Sequence, residues 1–137
     1  MSLPWKQYKA IAFDVGGTVF DWHGTVAPRV AEALPAVDAF LNERDKDELA
    51  TAWHVLKAWP DAPAAIDALR SRYTVTVLTV LSWRSVVASS KAAGISWDGV
   101  LSCEFLPAYK PERAAYLAAP RLIGCAPHET IMAACHA

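Results

Sequence analysis

Apolar positions along the chain fall into short unbroken runs separated by stretches with helical spacing. The run "AIAF" (Ala10 to Phe13) ends in Asp-Val-Gly-Gly, which predicts a strand buried on both faces and then a tight turn. "YTVTVLTV" (Tyr73 to Val80), rich in β-branched residues, predicts a second such strand, and "GVLSCEF" (Gly99 to Phe105) and "ETIMAACHA" (Glu129 to Ala137) predict a third and a fourth. Between them, Ala62 to Arg72 reads as a helix with Asp61 as its N-cap, and Ser82 to Ala93 as a helix ended by Gly94. "KPERAAYLAAPRLIG" places Pro111 in a first helical turn and Gly124 after the last, with Pro120 expected to kink the interior. Strands alternating with helices predict an α/β fold, a mostly parallel sheet flanked by helices with its sites at the strands' carboxyl ends.

Residues 22–58 break this alternation. "VAPRVAEALPAVDAFLNERDKDELATAWHVLKAWP" is helical by composition, is interrupted by Pro35, and carries the charged run "NERDKDE", which reads as a solvated face. The expected organisation is therefore an α/β core of residues 1–21 and 59–137 with a short helical insertion at 22–58. No internal repeat or low-complexity segment interrupts it.

Composition narrows the class. With 137 residues, 54% of them hydrophobic and 20% charged, the chain can bury one real core and is not of disordered type. A formal net charge of -1, with Lys and Arg scattered, gives no electrostatic footprint for nucleic acid or an acidic membrane. Cys103, Cys125 and Cys135 show no zinc spacing and read as buried free thiols in a reducing cytoplasm. The start "MSLPWKQYK" has no signal-peptide h-region and no uncharged apolar run approaches spanning length, so the expectation is a soluble cytoplasmic protein.

Chemistry enters with Asp14. An aspartate at the carboxyl end of a parallel strand stands where doubly wound folds build their sites, and Gly16 and Gly17 let the backbone approach a bound group. Asp14 is thus a candidate nucleophile or metal ligand, although D-x-G-G-T also suits a plain turn. Thr79 ends the second strand, which a parallel sheet can bring beside Asp14. Lys110 precedes a helix, and Tyr116 follows six residues later. A lysine beside an aspartate nucleophile favours the ionised carboxylate and neutralises charge that develops in the reaction. Each also has a structural reading: Thr79 as a strand residue, Lys110 as a surface lysine, Tyr116 as core. Order and placement favour the joint reading.

These residues resemble the haloacid dehalogenase superfamily, specifically its type II 2-haloacid dehalogenase branch. "FDVGGTVFDW" is similar to motif I with Asp14 as nucleophile, "VLTV" to motif II with Thr79 in the Ser/Thr place, and "YKPERAAY" to motif III with Lys110 and Tyr116. "AWHVLKAWPDAPAAIDALRSRY" and "ETIMAACHA" resemble the segments after the cap and before motif IV, so the likeness runs along nearly the whole chain. It implies a HAD-like Rossmannoid core and attack of Asp14 on the halogen-bearing carbon of a short 2-haloalkanoate, through an ester that water hydrolyses. Thr79 and the backbone at Val15, Gly16, Gly17 and Thr18 would hold the substrate carboxylate or support the nucleophile, with Lys110 paired to Asp14 and His136 at a polar position of the site. Phosphatases of the superfamily carry an acid two residues after the nucleophile to protonate an alkoxide; a halide needs no proton, and here that place is Gly16. The implied enzyme uses no cofactor or metal, Mg2+ entering only under a phosphatase alternative. A non-catalytic member of the superfamily is the third reading.

The resemblance also sets out differences. The family's acidic residue beyond "AACHA", its last strand and its closing helices have no counterpart before Ala137, which predicts an incomplete carboxyl-terminal part and an unprotected sheet edge that would favour a homodimer. The cap is shortened, with Arg29 and Arg44 placed only by location for the substrate-binding arginine, and Val80 stands where the family has asparagine. Trp22, Trp53, Trp59, Trp83 and Trp97 read as packing residues, not a ligand cage.

Overall fold

Strand β1 (Ala10–Phe13) is hydrogen-bonded on both sides, and that explains its unbroken apolar run. The computed structural model, which describes residues 4–33 and 55–135, sets it in a parallel sheet of order β5-β4-β1-β6. In that sheet β4 is Thr74–Thr79, β5 is Gly99–Ser102 and β6 is Thr130–Ala133. Ala10 lies opposite both Thr74 and Thr130, and Phe13 opposite Val77 and Ala133, so β1 and β6 end level while β4 runs two residues further, to Thr79. Among the described residues the outer sides of β5 and β6 form the sheet edges.

The strands are shorter than the apolar runs predicted. Ser102 ends β5 because its hydroxyl accepts from Glu104 N and turns the chain into a 3₁₀ turn at Cys103–Phe105. Glu129 belongs to a 3₁₀ turn, Pro127–Glu129, that leads into β6, while His136 and Ala137 lie outside the described residues.

Among the described residues four helices accompany the sheet: α1 (Trp22–Ala33), α2 (Ala62–Arg70), α3 (Trp83–Ala93) and α4 (Arg113–Ile123). The cap of α3 follows the sequence: Ser82 Oγ accepts from Ser85 N at 3.2 Å, and Gly94 ends the helix at φ 69°. Two expectations are corrected. Asp61 already has helical backbone angles and makes no side-chain cap bond, and Pro111 precedes α4 instead of opening it. Pro120 is carried within α4, at the cost of the bond its missing N–H would give to the Tyr116 carbonyl.

Alternation along β4 separates two layers. Val75 and Val77 pack with Ile66 of α2, Val86 of α3, and Val15, Val19 and Phe20 from the loop after β1. Leu78 and Ala12 face the other way, against Ala119 and Ile123 of α4 and Met132 of β6. On this side Thr76 is 3% exposed and its Oγ1 has no hydrogen-bond partner. The expectation of buried thiols holds for Cys103 alone; Cys125 is half-buried and Cys135 exposed, all three unbridged.

Residues 22–58 do not read as helix throughout. Lys57–Ala58 form a strand, β3, antiparallel to β2 (Phe20–Asp21), a two-residue ladder too short to leave a periodicity in sequence. Asp21 then starts α1 by accepting from Gly24 N at 2.7 Å. Pro35, the charged run, Arg44 and Trp53 lie outside the described residues. No helix among the described residues is long and apolar enough to cross a membrane.

Candidate active site

At the carboxyl end of β1 the backbone N–H of Asp14 donates to Ala133 O at 2.8 Å, extending the β1–β6 ladder by one bond. The chain then turns on Gly17, at φ 81°, a conformation that favours glycine. The turn is closed by Gly17 N to Phe20 O (2.8 Å) and by the amides of Val19 and Phe20, both donating to Val15 O. Above it Thr18 Oγ1 donates to Asp14 Oδ2 at 3.3 Å and accepts from Cys135 N at 2.9 Å. Asp14 is thus fixed from its own loop and from the segment after β6.

Lys110 reaches the same carboxylate from the loop before α4. Its Nζ lies 2.5 Å from Asp14 Oδ1 and 3.1 Å from the Leu78 carbonyl. The two side chains are 12% and 14% exposed, so the pair is largely withdrawn from water and its attraction is stronger than a surface pair's. At the end of β4, Thr79 is 1% exposed and its Oγ1 accepts from Leu81 N at 3.1 Å, whereas Val80 turns outward at 53% exposure. The next strand's loop braces this turn: Ser102 Oγ donates to Leu81 O, and Glu104 Oε1 accepts from Trp83 N at 2.7 Å. Glu104 thereby caps α3 from a distance in sequence.

A cleft of about 730 Å³ opens over the pair, walled by Asp14, Gly16, Trp22, Thr79, Val80, Leu81, Lys110, Pro111, Tyr116, Met132 and Ala134. Asp14, Thr79, Lys110 and Tyr116 therefore meet in one place. Of the four loop positions expected to touch substrate, only Gly16 is on the wall. Val15 is fully buried, Gly17 spends its N–H on Phe20, and Thr18 is engaged with Asp14 and Cys135. His136 and Arg44 lie outside the described residues, and Arg29, exposed on α1, is not on the wall. Sequence reasoning missed Leu81, Pro111, Met132 and Ala134, and it assigned Trp22 to packing although the residue borders the cleft. Nothing local marked Trp22, because the two-residue ladder that ends at Asp21 just before it leaves no signal in sequence.

Among the described residues the wall offers a divalent cation few donors. Asp14 is the single carboxylate on the described wall, one of its oxygens already faces an ammonium, and no group of three or more His, Cys, Asp or Glu is assembled among the described residues.

No protein-family model and no curated protein sequence matches the chain. Solved structures do. A defluorinating L-2-haloacid dehalogenase superposes with a TM-score of 0.80 at 27% identity, covering 94% of this chain and 74% of that one. The L-2-haloacid dehalogenase of Xanthobacter autotrophicus, solved with chloropropionic acid covalently bound, gives a TM-score of 0.78 at 19% identity over 91% of this chain and 69% of its own. A Thermotoga maritima protein assigned as a beta-phosphoglucomutase is more distant, with a TM-score of 0.67 at 16% identity over 90% and 74% of the two chains. The parallel strand order, the helices on both faces and these neighbours together identify the HAD-like Rossmannoid α/β fold, in the form found in L-2-haloacid dehalogenases.

Proposed function

We propose that the chain is a hydrolase of the 2-haloacid dehalogenase type. The observation that carries this reading is the Asp14–Lys110 pair at the floor of a cleft whose described wall holds no second carboxylate. A carboxylate oxygen of Asp14 attacks the halogen-bearing carbon of a 2-haloalkanoate, the carbon–halogen bond breaks, and halide leaves with the bonding pair. Water then attacks the ester carbonyl, restoring the Asp14 carboxylate and releasing a 2-hydroxy acid and a proton. Lys110 holds Asp14 in line and balances its charge, while Thr79 and the Gly16 amide orient the substrate carboxylate. Gly16 supplies no general acid, and none is needed to expel a stable anion. From the described start of the inserted segment, α1 contributes Trp22 to the cleft wall.

The phosphatase alternative requires Mg2+, for which the described wall offers one carboxylate, Asp14, already paired with Lys110. Single turnover in ¹⁸O-water tests the reading: halide release from 2-chloropropionate should be accompanied by label in the Asp14 carboxylate, and both should vanish in Asp14→Asn. Halide release that survives this substitution would refute it, and no turnover with any 2-haloacid would favour a non-catalytic role.

A further inference from the structure

We propose that the preferred 2-haloacid carries an extended apolar substituent, a linear chain of four or more carbons or an aromatic ring, instead of the hydrogen or methyl of the smallest members; this rests on the hydrolase reading above. The cleft's volume, about 730 Å³, falls in the range of roughly 300–1,000 Å³ that holds drug-sized ligands, whereas a haloacetate is a handful of heavy atoms. Its charge is gathered at one point, where Asp14 and Lys110 touch each other and are the only charged side chains on the described wall. The rest of the described wall is mostly apolar, with Val80, Leu81 and Met132 beside the ring of Tyr116 and the Thr79 hydroxyl. Val80 is 53% exposed and Tyr116 39%, apolar surface that a substituent leaving the reaction centre would remove from water. Space continues beside Asp14 as well, since among the described residues a Cβ built on Gly16 would meet only Leu81 Cδ1, at 3.9 Å. Val80 follows Thr79 directly, so its methyls are placed to select the first carbons of the substituent.

The test compares halide release from 2-bromopropionate and 2-bromohexanoate by the intact chain and by Val80→Trp, a change at a half-exposed position that fills the cleft. Each buried methylene should raise kcat/KM about fourfold. The expected preference for the longer acid is therefore roughly tenfold or more, falling below about threefold in Val80→Trp. Equal or better turnover of the propionate, or a preference that Val80→Trp leaves unmoved, would overturn the proposal. Binding of the unreactive carboxylates propionate, hexanoate and phenylacetate, read by tryptophan fluorescence, separates this from failure of the hydrolase reading. If no haloacid turns over but hexanoate or phenylacetate binds about tenfold tighter than propionate, with the difference lost in Val80→Trp, the apolar pocket stands and the hydrolase reading falls. Equal binding of all three acids would overturn the pocket itself.

Discussion

Lys110 Nζ and Asp14 Oδ1 are 2.5 Å apart although 96 positions separate the residues in sequence. Neither side chain is more than 14% exposed, so each is the other's main compensation for leaving water. Removing one partner should cost more than removing both. Lys110→Met is expected to destabilise the fold by roughly 2–4 kcal/mol, and a double-mutant cycle with Asp14→Asn should return a coupling of about 1–3 kcal/mol. Denaturant unfolding of the four proteins measures it, and additive losses would show that the pair contributes nothing jointly. On the proposed mechanism Lys110→Met also lowers kcat/KM for halide release by at least about a hundredfold.

Gly16 is not held by sterics. Because among the described residues a Cβ there has a single ordinary contact, with Leu81 at 3.9 Å, Gly16→Ala and Gly16→Asp should both fold with Tm changes of no more than about 3 °C. The aspartate, however, would set a second negative charge beside Asp14, in the path of an anionic substrate. Halide release should fall by roughly tenfold or more in Gly16→Asp and much less in Gly16→Ala. Equal losses in the two variants would point to packing instead of charge.

Thr76 buries a hydroxyl without a partner in the middle of β4. Replacing it by the isosteric valine, Thr76→Val, removes a desolvated polar group and keeps the shape. Thermal unfolding should show a gain of about 1 kcal/mol, or roughly 3–5 °C in Tm. A loss of stability would mean that the hydroxyl is satisfied in solution.

Asp98 predicts the acid limb of stability. Partial burial pushes its carboxyl up, but the Val75 N–H at 2.8 Å and the Arg70 guanidinium at 2.9 Å outweigh this and hold it below the usual aspartate range. The unfolded chain then takes up a proton at a higher pH than the folded one. The stabilisation is complete above the ordinary aspartate pKa and is lost as pH falls through the lower folded value. Urea midpoints between about pH 5 and 2.5 should therefore drop less steeply in Asp98→Asn than in the parent chain. Parallel curves would remove Asp98 from the account.

The strands were legible because a strand bonded on both sides must be apolar on both faces, and "AIAF" and "VTVLT" can satisfy that in few other ways. Asp14, Thr79 and Lys110 followed because a parallel sheet gathers strand ends. What sequence did not reveal was set by partners distant along the chain. Trp22 borders the cleft only because the β2–β3 ladder fixes the start of α1, and Gly17 loses its amide to Phe20 in a turn whose closure depends on packing. Glu104 gives no local sign that it caps α3, and Asp61 has a capping residue's identity without the extended backbone a cap needs.

The interior position of β1 also bears on how the protein would fail. With β4 on one side, β6 on the other and the Asp14 amide bonded to Ala133, the strand that leads into Asp14 cannot fray on its own. Its amides should exchange with solvent only through global opening, while the two-residue β2–β3 ladder exchanges through cheap local openings. On heating, the Asp14 end of the sheet should keep its geometry until the whole core melts, so loss of activity and loss of the fold would follow a single time course.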